Sequence, residues 1–422
     1  MKILVRQATI ADPNSSLNGQ VADLLITDHR ISKIAANITE AADEVIEAEG
    51  LLVSPGWIDL FSHFADPGYE FKETLETGAA AAASGGFTQV FVLPNTQPVV
   101  DNKTQAEYIS RHSATLPVTL HPLGAITKGI EGKDLAEMYD MKNSGAVAFS
   151  DGTSPVQSPG LFLKALQYVK AFDGVLIQVP MDKSIGAGGL INEGVISTRL
   201  GLPGIPSLAE EVIIKRDIDL LRYTQSKLHI TGVSTKNSLA LIDAAKKEGL
   251  NISCSVTPYH LFFCEEDMQT YDTNLKVNPP LRSKDDMLAL REAVVNGTVD
   301  CIASHHMPQD WDNKVCEFEY AKNGMVGLET SYAVVNHLLP ELTKERLVQL
   351  FSGNARKIFG LSATNIEEGA VAEITMFSRT GTTLISKAQL KSKSANTPFL
   401  DRELGGKIIG TIHKGKLTLN QN

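Results

Sequence analysis

Cysteine is scarce in this chain. Its four thiols, Cys254, Cys264, Cys301 and Cys316, are too few and too scattered for a disulfide framework, and no CxxC pair offers a zinc knuckle. Cys254 and Cys301 lie inside apolar, strand-like runs and read as small core residues. No stretch approaches the ~18 apolar residues needed to cross a bilayer. The opening MKILVRQATI alternates like a strand and lacks the longer apolar core of a signal peptide, so a cytoplasmic protein with no membrane contact is expected. Neither a GxGxxG nor a P-loop pattern opens any helix, which argues against a nucleotide fold. Low-complexity segments and short repeats are missing too. Positive charge is outweighed, with a net charge of -10 and a pI near 5.5, so no nucleic-acid partner is expected.

What is present is ordinary globular composition in two textures. KILVRQATI, DLLITDHRISKIA and EVIEAEGLLVS read as short strands separated by turn-prone clusters such as DPNSS. The C-terminal stretch repeats this texture in VAEITMFSR and GKIIGTIHKGKLTL. Between these flanks strand and helix alternate. FKETLETGAAAAASGG is a helix stopped by Gly85-Gly86, followed by the strand FTQVFVLPN. SLAEEVIIKRDIDLLRYTQS is a helix whose apolar residues fall near Leu208, Val212, Ile213 and Leu220, with the strand LHITGV next. Ser234 or Thr235 caps the helix after that, Gly249 stops it, and NISCSVT follows. Repeated β-then-α units imply parallel strands with right-handed crossovers. Over some 300 residues they predict a (β/α)8 TIM-type barrel across 55–360. Residues 1–54 and 361–422 are expected to form one small β-sandwich domain built from both termini. In such a barrel the reactive residues sit at the C-terminal ends of the strands.

PGWIDLFSHFADPG, residues 55–68, resembles the PGxIDxHxHxRxPG signature of dihydroorotases, in the amidohydrolase superfamily. The similarity continues through GAAAAASGGFTQVFVLPNTQPVVDN, HPLGAITKGIEGKDLAEM, LGLPGIPSLAEEVIIKRDI, VTPYHL, TNLKVNPPLRSKDD, NGMVGLET and KSANTPF, in the family's order. The resemblance implies two metals in the barrel mouth that activate a bridging hydroxide against a cyclic amide. It also implies an aspartate that shuttles the proton and an arginine that grips the substrate carboxylate. Read residue by residue, the match keeps the frame and loses the chemistry. Phe61 stands at the first histidine of the pair while His63 keeps the second, and Ala65 replaces the arginine. After the fourth strand, FSDGTSPV keeps Asp151 but puts Gly152 at the next aspartate. Gln178 replaces a histidine after the fifth strand. In HITG, His229 remains and Gly232 occupies the usual ligand position. His305 takes the place of the general acid/base aspartate, and Gln309 that of a substrate-contacting histidine. Asn95 and Asn278 match the family's substrate-binding asparagines.

The resulting expectation is a dihydroorotase-like protein of pyrimidine biosynthesis that is catalytically inactive, with no cofactor. By family resemblance it would act as a structural or regulatory partner of aspartate transcarbamoylase and self-associate as a homo-oligomer. The alternative is an active dihydroorotase, or another cyclic-amide hydrolase, with a rebuilt mononuclear zinc site made of His63, Asp151 and His305, a sound His2Asp set. Blander roles compete for the same residues. His63 alone reads as a satisfied core histidine, Asp151 as the organiser of its own turn, and His260 as a donor tying the loop after the seventh strand. On a strand, His305 and His306 would point to opposite faces, so that only one of them reaches the mouth. Trp311 reads as exposed, and Glu265-Glu266-Asp267 as a solvated helix start.

Overall fold

The computed structural model describes residues 1–420. Its central element is an eight-stranded parallel sheet, numbered here in chain order: β1 (Trp57–Ser62), β2 (Phe87–Val92), β3 (Thr119–Gly124), β4 (Ala148–Phe149), β5 (Leu176–Gln178), β6 (Leu228–Thr231), β7 (Ile252–Val256) and β8 (Cys301–Ile302). Neighbours in the sheet are neighbours in the chain, from β1 round to β8. The ring is closed beyond β8 by a parallel bridge between Ser62 and His306, where His63 donates its N–H to the His306 carbonyl at 2.8 Å. This is the predicted (β/α)8 barrel. Cys254 and Cys301 are both fully buried, as their apolar context implied.

Local chemistry sets the helix ends. Thr74 caps Leu75–Ser84 through a capping box with Thr77. Thr235, one of the two candidates, caps Lys236–Lys247 by accepting from the Ser238 N–H. The helix Leu208–Thr224 needs a correction to its buried face. Leu208 and Val212 are exposed, while Ala209, Ile213, Ile214, Ile218 and Leu221 are buried. The helix is packed between Pro159–Lys170 on one side and Lys236–Lys247 on the other, so its apolar stripe is wider and rotated from a Leu208–Val212 line.

The β-rich flanks join in one sheet. Leu51–Pro55 pairs antiparallel with the start of Ile374–Leu384, which pairs in turn with Glu403–His413 and then Lys416–Leu419. On the other side lie Lys2–Ile10, Val21–Thr27 and Arg30–Ala35. This satellite packs on the N-terminal ends of β1, β2 and β3, where Trp57, Thr88 and Thr119 bond to Thr375, Glu373 and His413. Trp57, fully buried, stacks on Phe351 at 4.9 Å and meets Tyr332 and Phe377 at 5.2 and 5.1 Å. Between Leu384 and Glu403 the chain leaves the satellite and straps across the rim of the barrel mouth. There Asn396 donates to the carbonyls of Met307 and Gly324, both at 3.1 Å. No helix of the described residues is long and apolar enough to cross a membrane.

Candidate functional site

The C-terminal ends of the strands bring Phe61, His63, Asp151, Gly232 and His305 to the mouth, whereas His229, second residue of β6, lies deeper in the barrel against Phe359 and Gln178 faces helix Leu208–Thr224; each is held by the protein itself. Phe61 ends β1 and is fully buried. Its ring stacks on His305 with centroids 4.4 Å apart and planes 30° from parallel. Burying such a side chain contributes about 1.5–3 kcal/mol. His305 lies past the end of β8 with a positive φ of 45°. The two rings part all the same, His305 toward Phe61 and Thr231 in the mouth and His306 toward Glu73 at the rim. Regular pairing stops at Ile302, and both rings are buried against other partners.

Burial pushes His305 down to about 3 and His229 likewise to about 3. Neutral rings fit a single chain of donors. Ser253 Oγ donates to His229 Nδ1 at 2.9 Å, and His229 Nε2 donates to Ser255 Oγ at 3.0 Å. Ser255 donates to Thr231 Oγ1 at 2.9 Å, whose hydroxyl donates to His305 Nε2 at 2.8 Å. The chain is uncharged and links four polar residues of two neighbouring strands to His305, which is how buried polar groups reduce their desolvation cost. Gly232, at φ 71°, touches it. A Cβ there would lie 2.7 Å from His305 Cε1, so a side chain at 232 and the present His305 conformation exclude each other.

His63 is half-buried, shifted down to about 4 by burial, and its Nε2 donates to the Asn95 carbonyl at 2.9 Å. Asp151 does not organise its own turn; its carboxylate ties the loop after β3. One oxygen accepts the N–H groups of Ile126 and Thr127 at 2.8 and 2.9 Å, and the other accepts the Thr127 hydroxyl at 2.6 Å. Burial still raises it to about 6. Gly152 sits at φ 58° under Asn95, where a Cβ would fall 1.7 Å from the amide oxygen. The Asn95 amide itself donates to the Asp151 carbonyl. Gln178 is buried and reaches the Val156 carbonyl and Asp217 at 3.4 Å. Asn278 differs from these. Its Oδ1 is buried without a partner, as is Oε1 of Gln309. His260 ties its loop as expected, lying 3.1 and 3.2 Å from the carbonyls of Pro279 and Pro280.

His63, Asp151 and His305 are thus spent on three different partners. Among the described residues no three His, Cys, Asp or Glu side chains gather as a metal ion requires. Sequence reading missed a carboxylate at the rim. Glu73, fully buried, accepts the hydroxyls of Thr77 and Ser392, the Lys393 N–H at 3.0 Å and His306 Nε2 at 3.3 Å. Burial alone would raise it, but His306 and the hydroxyls outweigh that and hold it low. Within ETLET it looks like an acid favouring a helix start, and its partners other than Thr77 come from over 200 residues away. Trp311 is exposed.

Residues 50–238 match the family model described as "Dihydro-orotase-like". Curated relatives include "Dihydroorotase" of Pelotomaculum thermopropionicum, 42% identical, and that of Geobacter metallireducens, 40% identical, each match covering 99% of both chains. In three dimensions the chain is similar to the L-hydantoinase (dihydropyrimidinase) from Arthrobacter aurescens, with a TM-score of 0.86 at 23% identity over 98% of this chain and 95% of the other. The dihydropyrimidinase from Brevibacillus agri gives 0.84 at 20% identity over 100% and 95%. These two likenesses establish the fold. Full-length identity to the curated relatives goes further: this chain belongs to the dihydroorotase family of the amidohydrolase superfamily.

Proposed function

We propose that this chain is a catalytically silent dihydroorotase of pyrimidine biosynthesis, serving as a structural or regulatory partner of aspartate transcarbamoylase. One observation carries the silent reading. The mouth position that the family gives to a metal-binding histidine is filled by the Phe61 ring, stacked on a His305 whose Nε2 is taken by Thr231. The family's zinc pair does not fit the residues present. A phenyl ring has no donor, Gln178 is turned toward Asp217 and Val156, and Gly232 has no side chain. Removing even a residue that supports a ligand costs ~10–100-fold in affinity or activity, so losing several ligands outright removes the site. Ala65, without a forked guanidinium, leaves a substrate carboxylate uncompensated beside Asn95 and Asn278.

The partner role rests on the family alone, as does self-association, because fold does not fix function. The rival is a mononuclear zinc centre on His63, Asp151 and His305, whose present hydrogen bonds would all have to break. Zinc content and interconversion of dihydroorotate and carbamoyl aspartate, measured in both directions on purified protein, separate the two. The expected result is zinc far below stoichiometric and no turnover above background. Near-stoichiometric zinc with turnover abolished by His305→Ala would defeat the silent reading. Mixing the protein with aspartate transcarbamoylase of the same organism tests the partnership. The expected outcome is co-elution at a mass above either component; separate elution over a range of concentrations would overturn it.

A further inference from the structure

On the mouth side, the chain that follows β7 and the chain that follows β8 join in one exposed face of uneven charge. Segments 265–276 and 310–320 hold eight carboxylates, two lysines and no arginine. Both lysines are buried and spent on carbonyls. Lys314 donates to the Thr273 carbonyl at 2.8 Å, and Lys276 to those of Phe318 and Glu319 at 2.7 and 2.9 Å. Thr273 Oγ1 donates back to the Lys314 carbonyl at 2.6 Å, and the rings of Tyr271 and Phe318 meet edge to face at 6.4 Å. The two segments are thus tied into one unit, its cations inside and its acids outside. Glu266, Asp267, Asp312, Glu317 and Glu319 are exposed. Among the described residues none of these five joins an ion pair.

Three large apolar side chains stand out among these acids. Trp311 and Tyr320 are each 71% exposed and Val315 is 56% exposed, all in one loop. Val315 donates its N–H to the Trp311 carbonyl at 2.8 Å, one turn apart, and Lys322 closes the loop on the Asn313 carbonyl at 3.0 Å. Single exposed apolar residues are ordinary, but Trp and Tyr grouped on a fixed loop mark interaction surfaces, where such side chains dominate binding energy. We propose that this face docks a partner protein whose surface presents an apolar hollow ringed by arginine and lysine. Charge decides the occupant. Five exposed carboxylates without ion pairs repel nucleic acid and anionic membrane. A second copy of a chain with net charge -10 would bring the same acids against them. A basic protein surface neutralises the acids while it covers the aromatics. This docking face rests on the partner reading above and adds to it the chemistry of the surface that meets it.

Affinity of the full chain for aspartate transcarbamoylase of the same organism, measured by biolayer interferometry at low and high salt, tests the proposal. The parent complex should weaken as salt rises. Trp311→Ala should weaken it about tenfold or more, and so should the double variant Glu317→Lys with Glu319→Lys. All three side chains are exposed, so the fold should survive both changes. Tyr223→Ala, at a residue 74% exposed on the outer helix Leu208–Thr224, should leave the affinity unchanged. If the parent binds and both loop variants bind equally well, the partnership stands and this face is not its site. A sensitive Trp311→Ala beside an insensitive charge reversal would overturn the basic partner surface. Self-association of the chain that is lost in Trp311→Ala would assign the face to a second copy and overturn the proposal as well. No complex with the parent at any concentration would remove the partner reading, and the proposed occupant with it.

Discussion

The bottom of the barrel and the packing around Phe61 at the mouth treat buried polar groups in opposite ways. At the bottom, under the satellite, charges meet. Arg356 donates to Glu373 at 2.6 Å, and the same carboxylate accepts Thr88 Oγ1 and Gln89 Nε2 at 2.7 and 2.8 Å. Burial would raise Glu373, but Arg356 and its other partners hold it below its ordinary value. Around Phe61 at the mouth the histidines are neutral and their hydrogen-bond partners are hydroxyls and a carbonyl. In a barrel of this kind the bottom serves stability and the mouth serves chemistry. Around Phe61 the mouth is packed like a second bottom, and the charged pairs at this end, Glu73 with His306 and Arg282 with Glu210, lie outside that packing.

Acid should produce the largest effect. Burial holds His63, His121, His260 and His413 near 4 and His229 and His305 near 3, all below the unfolded value of 6.5. Between pH 6.5 and about 4 the unfolded chain therefore binds protons that the folded chain refuses, and stability falls as pH drops. Each histidine contributes about 1.4 kcal/mol per pH unit within that window. Three buried carboxyls act the other way, because Asp151, Asp217 and Glu329 are raised to about 6, 7 and 6 and their burial penalty is relieved on acidification. Six groups against three leave a steep net loss, read from urea midpoints between pH 7 and 4.5. A flat profile would mean that the mouth histidines are charged and paired, and the contrast between the two ends would collapse.

Next in size is the bottom itself. Arg356→Met removes the partner of Glu373 and the donor to the Gly56 carbonyl at 3.0 Å, leaving a buried carboxylate short of charge. A loss of about 3–5 kcal/mol in chemical denaturation is expected. A cost below about 1 kcal/mol would show that the bottom does not depend on its ion pair.

Much of this arrangement could be read from the sequence, and the failures have physical causes. Strand and helix alternation carried the barrel because each unit's period is local, and PGWIDLFSHFADPG carried the altered mouth because Phe61 and Ala65 fall at fixed places in one short signature. The Leu208–Val212 line failed because two flanking helices, not one, decide which residues are covered. The His305–His306 pair does part to different partners, although a positive φ at His305, which nothing in the local sequence announces, interrupts the strand there. Glu73 was missed because its partners, His306, Ser392 and Lys393, arrive through tertiary folding. Thr231 and Ser255 were passed over because hydroxyls in apolar strands carry no signature of the network they complete.

The smallest expected effect is the sharpest test of the mouth. Phe61→His restores the first histidine of the family's pair and places it next to His63's strand end, so a mouth only one side chain from a metal centre should respond. We expect no zinc uptake above the parent chain by elemental analysis, and no turnover. The new ring would face a His305 whose Nε2 is bound to Thr231, a His63 bound to the Asn95 carbonyl and an Asp151 holding three donors, so one added imidazole does not assemble a coordination shell. Gly232 cannot contribute, and adding a side chain there collides with His305. Stoichiometric zinc in this single variant would mean that the hydrogen bonds around Phe61 yield readily to a cation. The neutral packing that sets the mouth apart from the bottom would then follow from the Phe61 ring alone.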